Sequence, residues 1–81
     1  MRRFYFHVRD GNKLYKDEEG WDLPDVATAK REALRSAREL LAEAVRSGKD
    51  QVPDAFLIAD EAGRAVDTIP IPAVLPRRLK R

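Results

Sequence analysis

Asp25-Val-Ala-Thr-Ala-Lys-Arg-Glu-Ala-Leu-Arg-Ser-Ala-Arg-Glu-Leu-Leu-Ala-Glu-Ala-Val-Arg-Ser-Gly48 decides the fold, because it reads as one long helix from Val26 to Ser47. Pro24 disfavours helical backbone at Leu23, since its ring clashes with the preceding residue. Asp25 then stands where an N-cap side chain accepts from the first free amides. Gly48 suits the left-handed position just past the last turn, and Arg46 and Lys49 suit the negative end of the helix dipole. Val26, Ala29, Ala33, Ala37, Leu40 and Ala44 recur at steps of three and four, with Leu41 beside them, so one face is apolar. Most of that face is alanine. Small side chains let the helix backbone come close to a flat neighbour, so the partner expected is a sheet. Leu34 and Val45 flank the stripe and are expected to cover the sheet's edge.

The far side of the helix is charged and divided. Arg31, Arg35, Arg38 and Arg46 fall on one flank, and Glu32, Glu39 and Glu43 on the other. An arginine stripe could hold phosphates. The glutamates cancel that field at short range, so a solvated face with pairs such as Glu32–Arg35 is the expectation.

Working outward, Phe4, Phe6 and Val8 alternate with Tyr5 and His7 as a strand does. Asp10-Gly11 signals a hairpin. A two-residue turn there would pair Phe6 with Tyr15 and Val8 with Lys13. A three-residue loop Arg9-Asp10-Gly11 pairs Phe6 with Leu14 and Tyr5 with Tyr15, and it is the register expected because it puts like with like on each face. The second strand is then Asn12 to Lys16. Asp17-Glu-Glu-Gly20 reads as a solvated acidic turn, since it lacks the alternating ligand spacing of a calcium loop. Trp21 and Leu23 are expected to pack near the helix start.

Beyond the helix, Lys49 to Asp54 is a loop and Ala55-Phe-Leu-Ile-Ala59 a third strand. Asp60-Glu-Ala-Gly63 is a turn, and Arg64 to Ile71 a fourth strand. Two facings stay open for it: Val66, Thr68 and Pro70 on one side, or Asp67, Ile69 and Ile71 with Ala65. Pro70 cannot donate to a ladder, which places this strand at an edge. The expectation is an α+β fold, β-β-α-β-β, with a four-stranded antiparallel sheet in the order 2-1-3-4 and the long helix on one face. The open face should then carry Tyr5, His7, Lys13, Tyr15 and Leu57. Residues 1–72 form the single domain in this reading, and 73–81 a flexible basic tail.

The 81 residues suit one domain with a modest core. There is no cysteine, which excludes disulfides, thiolate metal sites and thiol nucleophiles. No run approaches the ~20 apolar residues that span a bilayer, and no apolar leader opens the chain, so a cytoplasmic protein is expected. The net charge of +2 conceals basic ends around a body, Phe4 to Pro76, with 10 basic and 14 acidic side chains.

Phe4-Tyr-Phe-His-Val-Arg-Asp-Gly11, Asp17-Glu-Glu-Gly20, Leu23-Pro-Asp25, Ala29…Glu32-Ala33 and Ile58-Ala-Asp-Glu-Ala-Gly63 together resemble a family of small domains of unknown function from rhizobia and related alphaproteobacteria. The resemblance runs from Arg3 to Ile71 and implies no activity and no site. The element order, with Leu23-Pro-Asp25 ahead of the helix, also resembles the HicB-type antitoxin domain, which implies a small toxin as partner. Fold analogy alone does not carry function.

His7 is the single histidine, and no serine or threonine lies in a nucleophile motif. The four glycines are isolated turn residues, so there is no phosphate loop. A non-catalytic interaction module follows, with no cofactor and no metal, acting as a homodimer or on a protein partner through Tyr5, His7, Lys13, Tyr15 and Leu57. Single-stranded RNA is the alternative partner. It would use sheet aromatics for stacking and Arg31, Arg35, Arg38, Arg77, Arg78, Lys80 and Arg81 for phosphate.

Overall fold

The computed structural model describes residues 1–49 and 51–72. The expected basic tail, 73–81, with Arg77, Arg78, Lys80 and Arg81, lies outside the described residues. Five strands and one helix follow in the order β1 (Arg2–Asp10), β2 (Lys13–Tyr15), β3 (Trp21–Leu23), α1 (Val26–Arg46), β4 (Ala55–Ala59) and β5 (Ala65–Pro70). The sheet is antiparallel, with the path β2-β1-β4-β5, and β3 pairs with β1 as well. The fold is α+β with the strand order expected and one strand more.

The helix begins and ends on its caps. Asp25 is extended (φ −159°, ψ 175°), and its carboxylate accepts from the Thr28 amide at 2.8 Å. At the far end Gly48 is left-handed (φ 73°). Lys49 N–H donates to Ala44 O at 2.9 Å and Gly48 N–H to Val45 O at 3.2 Å, which is the Schellman arrangement.

Ala29, Ala33, Ala37, Leu41 and Ala44 are buried on α1. Opposite them the sheet presents Phe4, Phe6, Phe56, Ile58, Ile69 and Ile71. The division of volume is physical: large side chains rise from the sheet, and alanines on the helix let it settle between them. Val26, Leu34 and Leu40 pack at the margin. Val45 does not cover the sheet edge as expected; it is 75% exposed. It follows the buried Ala44 directly, and one residue turns a helix by about 100°, which carries the side chain off the stripe.

The hairpin register differs from both sequence alternatives. Val8 pairs with Tyr15, Arg9 with Leu14 and Asp10 with Lys13, so the loop is Gly11-Asn12. Gly11 has φ 64°, and glycine first in a two-residue loop is the type II′ pattern. Gly11 N–H donates to the Asp54 carboxylate at 2.9 Å, and Asp54 N–H to Arg9 O at 2.9 Å. The loop before β4 thus holds the hairpin tip. The register is an odd number of residues from the expected one, and each such step reverses the faces.

The third departure is β3. Trp21–Leu23 pairs with Arg2–Phe4 on the same edge of β1 that β2 uses further along. Leu23 packs on the core as expected. Trp21 stacks on Phe6 with ring centroids 5.2 Å apart and stays 40% exposed.

Ala55 to Ala59 is a strand as expected, central between β1 and β5. Ile69 of β5 and Ile71 just beyond it are buried, and Asp67 reaches Lys30 of α1 at 3.1 Å, so these three face the helix. A bulge opposite Ile58 and Ala59 then shifts the register, so Ala65 is opposite Ala59 and Val66 packs on the core, and neither expected facing holds along the whole strand. Pro70 closes β5, which pairs only with β4 among the described residues. No helix in the described residues is long and apolar enough to cross a membrane.

Candidate functional site

The alternation of β1 places Phe4 and Phe6 toward α1 and sends Tyr5, His7 and Arg9 to the opposite face. Cross-strand partners share a face. His7 is opposite Leu57, Tyr5 opposite Ala59, Arg9 opposite both Ala55 and Leu14, and Leu57 opposite Thr68. The open face is therefore built from Tyr5, His7, Leu14 and Leu57, with Arg9 between Leu14 and the buried Ala55, Thr68 on the edge strand, and the buried Ala59 beside Tyr5. Tyr5 and His7 stack, with centroids 6.2 Å apart and planes 16° apart. No helix or strand of the described residues crosses this face, and the loop between β2 and β3 closes against it at Arg3 and Tyr5 through Gly20.

Of the residues expected there, Tyr5, His7 and Leu57 come together. Lys13 and Tyr15 do not. Tyr15 is opposite Val8 and Lys13 opposite Asp10, so both belong to the helix side of the sheet. Leu14, which alternation in the true register brings to the open face, is 46% exposed and was missed.

On α1, Arg31 donates to Thr28 Oγ1 at 3.2 Å, Arg35 stands 3.9 Å from Glu32, and Arg38 is exposed. The stripe exists, and its first two members are engaged with neighbours on their own helix.

The acidic turn is not merely solvated. Asp17 is half-buried, while Glu18 and Glu19 are exposed. β2 pairs with β1 only as far back as Val8, and β3 only as far forward as Phe4. That leaves the outer edge of β1 without a strand at its middle. Asp17 fills the gap. Its Oδ2 accepts from Phe6 N–H at 3.1 Å, and its Oδ1 from Glu19 and Gly20 N–H at 3.2 and 3.1 Å. Its own N–H donates to His7 Nδ1 at 3.0 Å. Burial pushes the Asp17 carboxyl up, but the Gly20, Phe6 and Glu19 amides and the nearby His7 outweigh it, and the group titrates below the ordinary aspartate range. Asp-x-x-Gly was the available signal, since Asp side chains commonly bond amides two and three residues on. Asp60-Glu-Ala-Gly63 repeats it, with Asp60 Oδ1 accepting from Ala62 and Arg64 N–H.

The chemistry available is modest. His7 Nδ1 is taken by a backbone amide, and no hydroxyl of the described residues bonds to the ring. No group of three or more His, Asp or Glu side chains in the described residues could hold a metal ion. An open cleft of about 510 Å³ lies at the end of α1, lined by Leu41, Ala44, Val45 and Val52 with Asp10, Lys49 and Asp54. Its charges are mixed in sign, and Asp54 is committed to Gly11.

Residues 3–72 match the family model described as Domain of unknown function (DUF6894). Neither the curated proteins nor the solved structures include a match to this chain.

Proposed function

The chain belongs to the DUF6894 family, whose function is unknown, and from that footing we propose that it is a non-catalytic interaction module that self-associates through the open face of its sheet. One observation carries the reading. α1 occupies one side of the sheet, and the other side gathers Tyr5, His7, Leu14 and Leu57 with no helix or strand of the described residues over them. A sheet bare to water normally turns polar side chains outward. Here the outward set is aromatic and aliphatic around Tyr5, His7 and Leu57, with Arg9 between them and the edge residue Leu14 and with Thr68 at the far rim, and tyrosine and arginine are residues that interfaces favour. A twofold pairing of this face with itself is the simplest arrangement.

The test is light scattering on wild type, Leu57→Glu and Tyr5→Glu, with circular dichroism to confirm folding. A dimeric wild type and monomeric variants are expected. A wild type that stays monomeric at high micromolar concentration overturns self-association and leaves the face to a different protein. A titration with single-stranded RNA at low salt accompanies it. Salt-sensitive binding lost on replacing Arg31, Arg35 and Arg38 would displace the proposal in favour of nucleic acid.

A further inference from the structure

His7 Nδ1 accepts a hydrogen bond from Asp17 N–H at 3.0 Å, so in this conformation Nδ1 carries no proton and the neutral ring holds its hydrogen on Nε2. A protonated ring has two N–H donors and no acceptor. Its Nδ1–H would then face the Asp17 N–H, two donors at contact distance. The Asp17 carboxylate is an alternative acceptor on the same residue, already shared among three amides. Oδ2 serves Phe6, and Oδ1 serves Glu19 and Gly20. Whether the ring turns away or toward that carboxylate, the Asp17 N–H loses its partner.

We propose that His7 and the Asp17 amide form a proton-released clasp, which tightens the loop between β2 and β3 on β1 while His7 is neutral and opens when His7 takes up a proton, leaving the loop on the Phe6–carboxylate and Arg3–Glu19 bonds alone. The groups around the ring support this. Along β1 its neighbours on the open face are Tyr5, stacked on it, and Arg9. From β4 it meets Leu57, which brings no charge. The loop brings Asp17, with Lys16, Glu18 and Glu19 exposed beside it. Arg9 is the basic group two residues along β1, and Asp17 is the acidic group bonded to the strand itself. Gly20 closes the loop over Arg3 and Tyr5 so tightly that a Cβ there would lie 2.5 Å from Arg3 Cδ and 2.9 Å from Tyr5 Cε1. Loosening the loop therefore disturbs Tyr5 and the open face with it.

The clasp belongs to the single chain; its effect on association rests on the function proposed above. A charged imidazolium at the centre of that face costs desolvation on pairing, so acidification weakens the dimer. The experiment is NMR on the ¹⁵N-labelled full chain, dilute, from about pH 8 to about pH 5, where imidazole groups titrate. The expected result is a neutral ring protonated on Nε2. The Asp17 amide proton then moves to the position of a free amide with the same midpoint as the ring. The Phe6 amide, held by the carboxylate, moves much less. In His7→Phe the Asp17 amide is free at every pH. A neutral ring protonated on Nδ1, or an Asp17 amide indifferent to the titration, overturns the clasp. These signals come from the monomer, so they decide the clasp independently of association. A wild type that never dimerises overturns the association reading alone, and a dimer of unchanged mass at both pH values overturns the regulatory link.

Discussion

Asp17 stands in for a strand. Its carboxylate takes the Phe6 N–H at the one stretch of β1's outer edge that neither β2 nor β3 reaches, and two loop amides besides. Asp17→Ala orphans all three donors. The expected cost is about 1–3 kcal/mol, read as a shift of the urea midpoint. Asp17→Asn keeps one acceptor oxygen and should cost less. The pH dependence has a definite sign. The folded-state carboxyl titrates below the unfolded one, so its contribution is present above the ordinary aspartate range and is lost as pH falls through the folded value. Asp25, held down by the Thr28 amide, and Asp60, held down by the Arg64 amide, act in the same sense. Stability should therefore fall on acidification below about pH 4, and less steeply in Asp17→Asn. Glycine makes a second comparison. Gly20 and Gly63 both have positive φ, 77° and 82°, but nothing lies within 4 Å of a Cβ at Gly63. Gly63→Ala carries only the left-handed penalty of about 1–2 kcal/mol. Gly20→Ala adds the collision with Arg3 and Tyr5 and should be the more damaging of the two in the same urea series.

At the scale of the element, α1 is specified by what it lacks as much as by what it carries. Five buried positions hold four alanines and one leucine, so the helix axis lies close over the phenylalanines and isoleucines of the sheet. Enlarging one alanine drives the layers apart. Ala37→Leu should cost about 1–3 kcal/mol, while Arg38→Leu, on the solvent side, should leave the midpoint close to wild type. Equal midpoints would contradict this facing. The N-cap is a separate contribution. Asp25→Ala should cost about 1 kcal/mol, because the Thr28 amide loses the acceptor that holds it at 2.8 Å.

At the scale of the whole molecule, β4 is the keystone. It lies between β1 and β5, and four of its five residues are buried. Ile58 is fully buried, and Ile58→Ala should cost about 2–5 kcal/mol. β2 and β3 are three-residue pieces, each paired with no strand but β1 among the described residues. Amide exchange should follow that difference. The β1–β4 ladder should exchange only by global unfolding, and β2 and β3 by local opening at lower free energy. Uniform protection across all five strands would contradict this ranking.

Local chemistry made most of the fold legible. Helical period, Pro24, Asp25 and Gly48 specify α1 to within a residue, because a helix's bonds and caps lie within five residues of one another. Alternation and turn residues place β1 and β4, and turn residues place β5, whose facing alternation left open because a bulge interrupts it; the antiparallel order follows from short connections. The hairpin register and β3 were decided only in three dimensions. Gly11 meets the Asp54 carboxylate forty-three positions along the chain, and Trp21–Leu23 is a strand because Arg2–Phe4 offers it an edge. Neither partner is visible from within the hairpin, where two other registers satisfy alternation equally well. That single choice settled the open face. Because side chains alternate with period two, an odd change of register replaced Tyr15 and Lys13 by Leu14. Tyr5, His7 and Leu57 stayed, since β1 and β4 are fixed by the core they share.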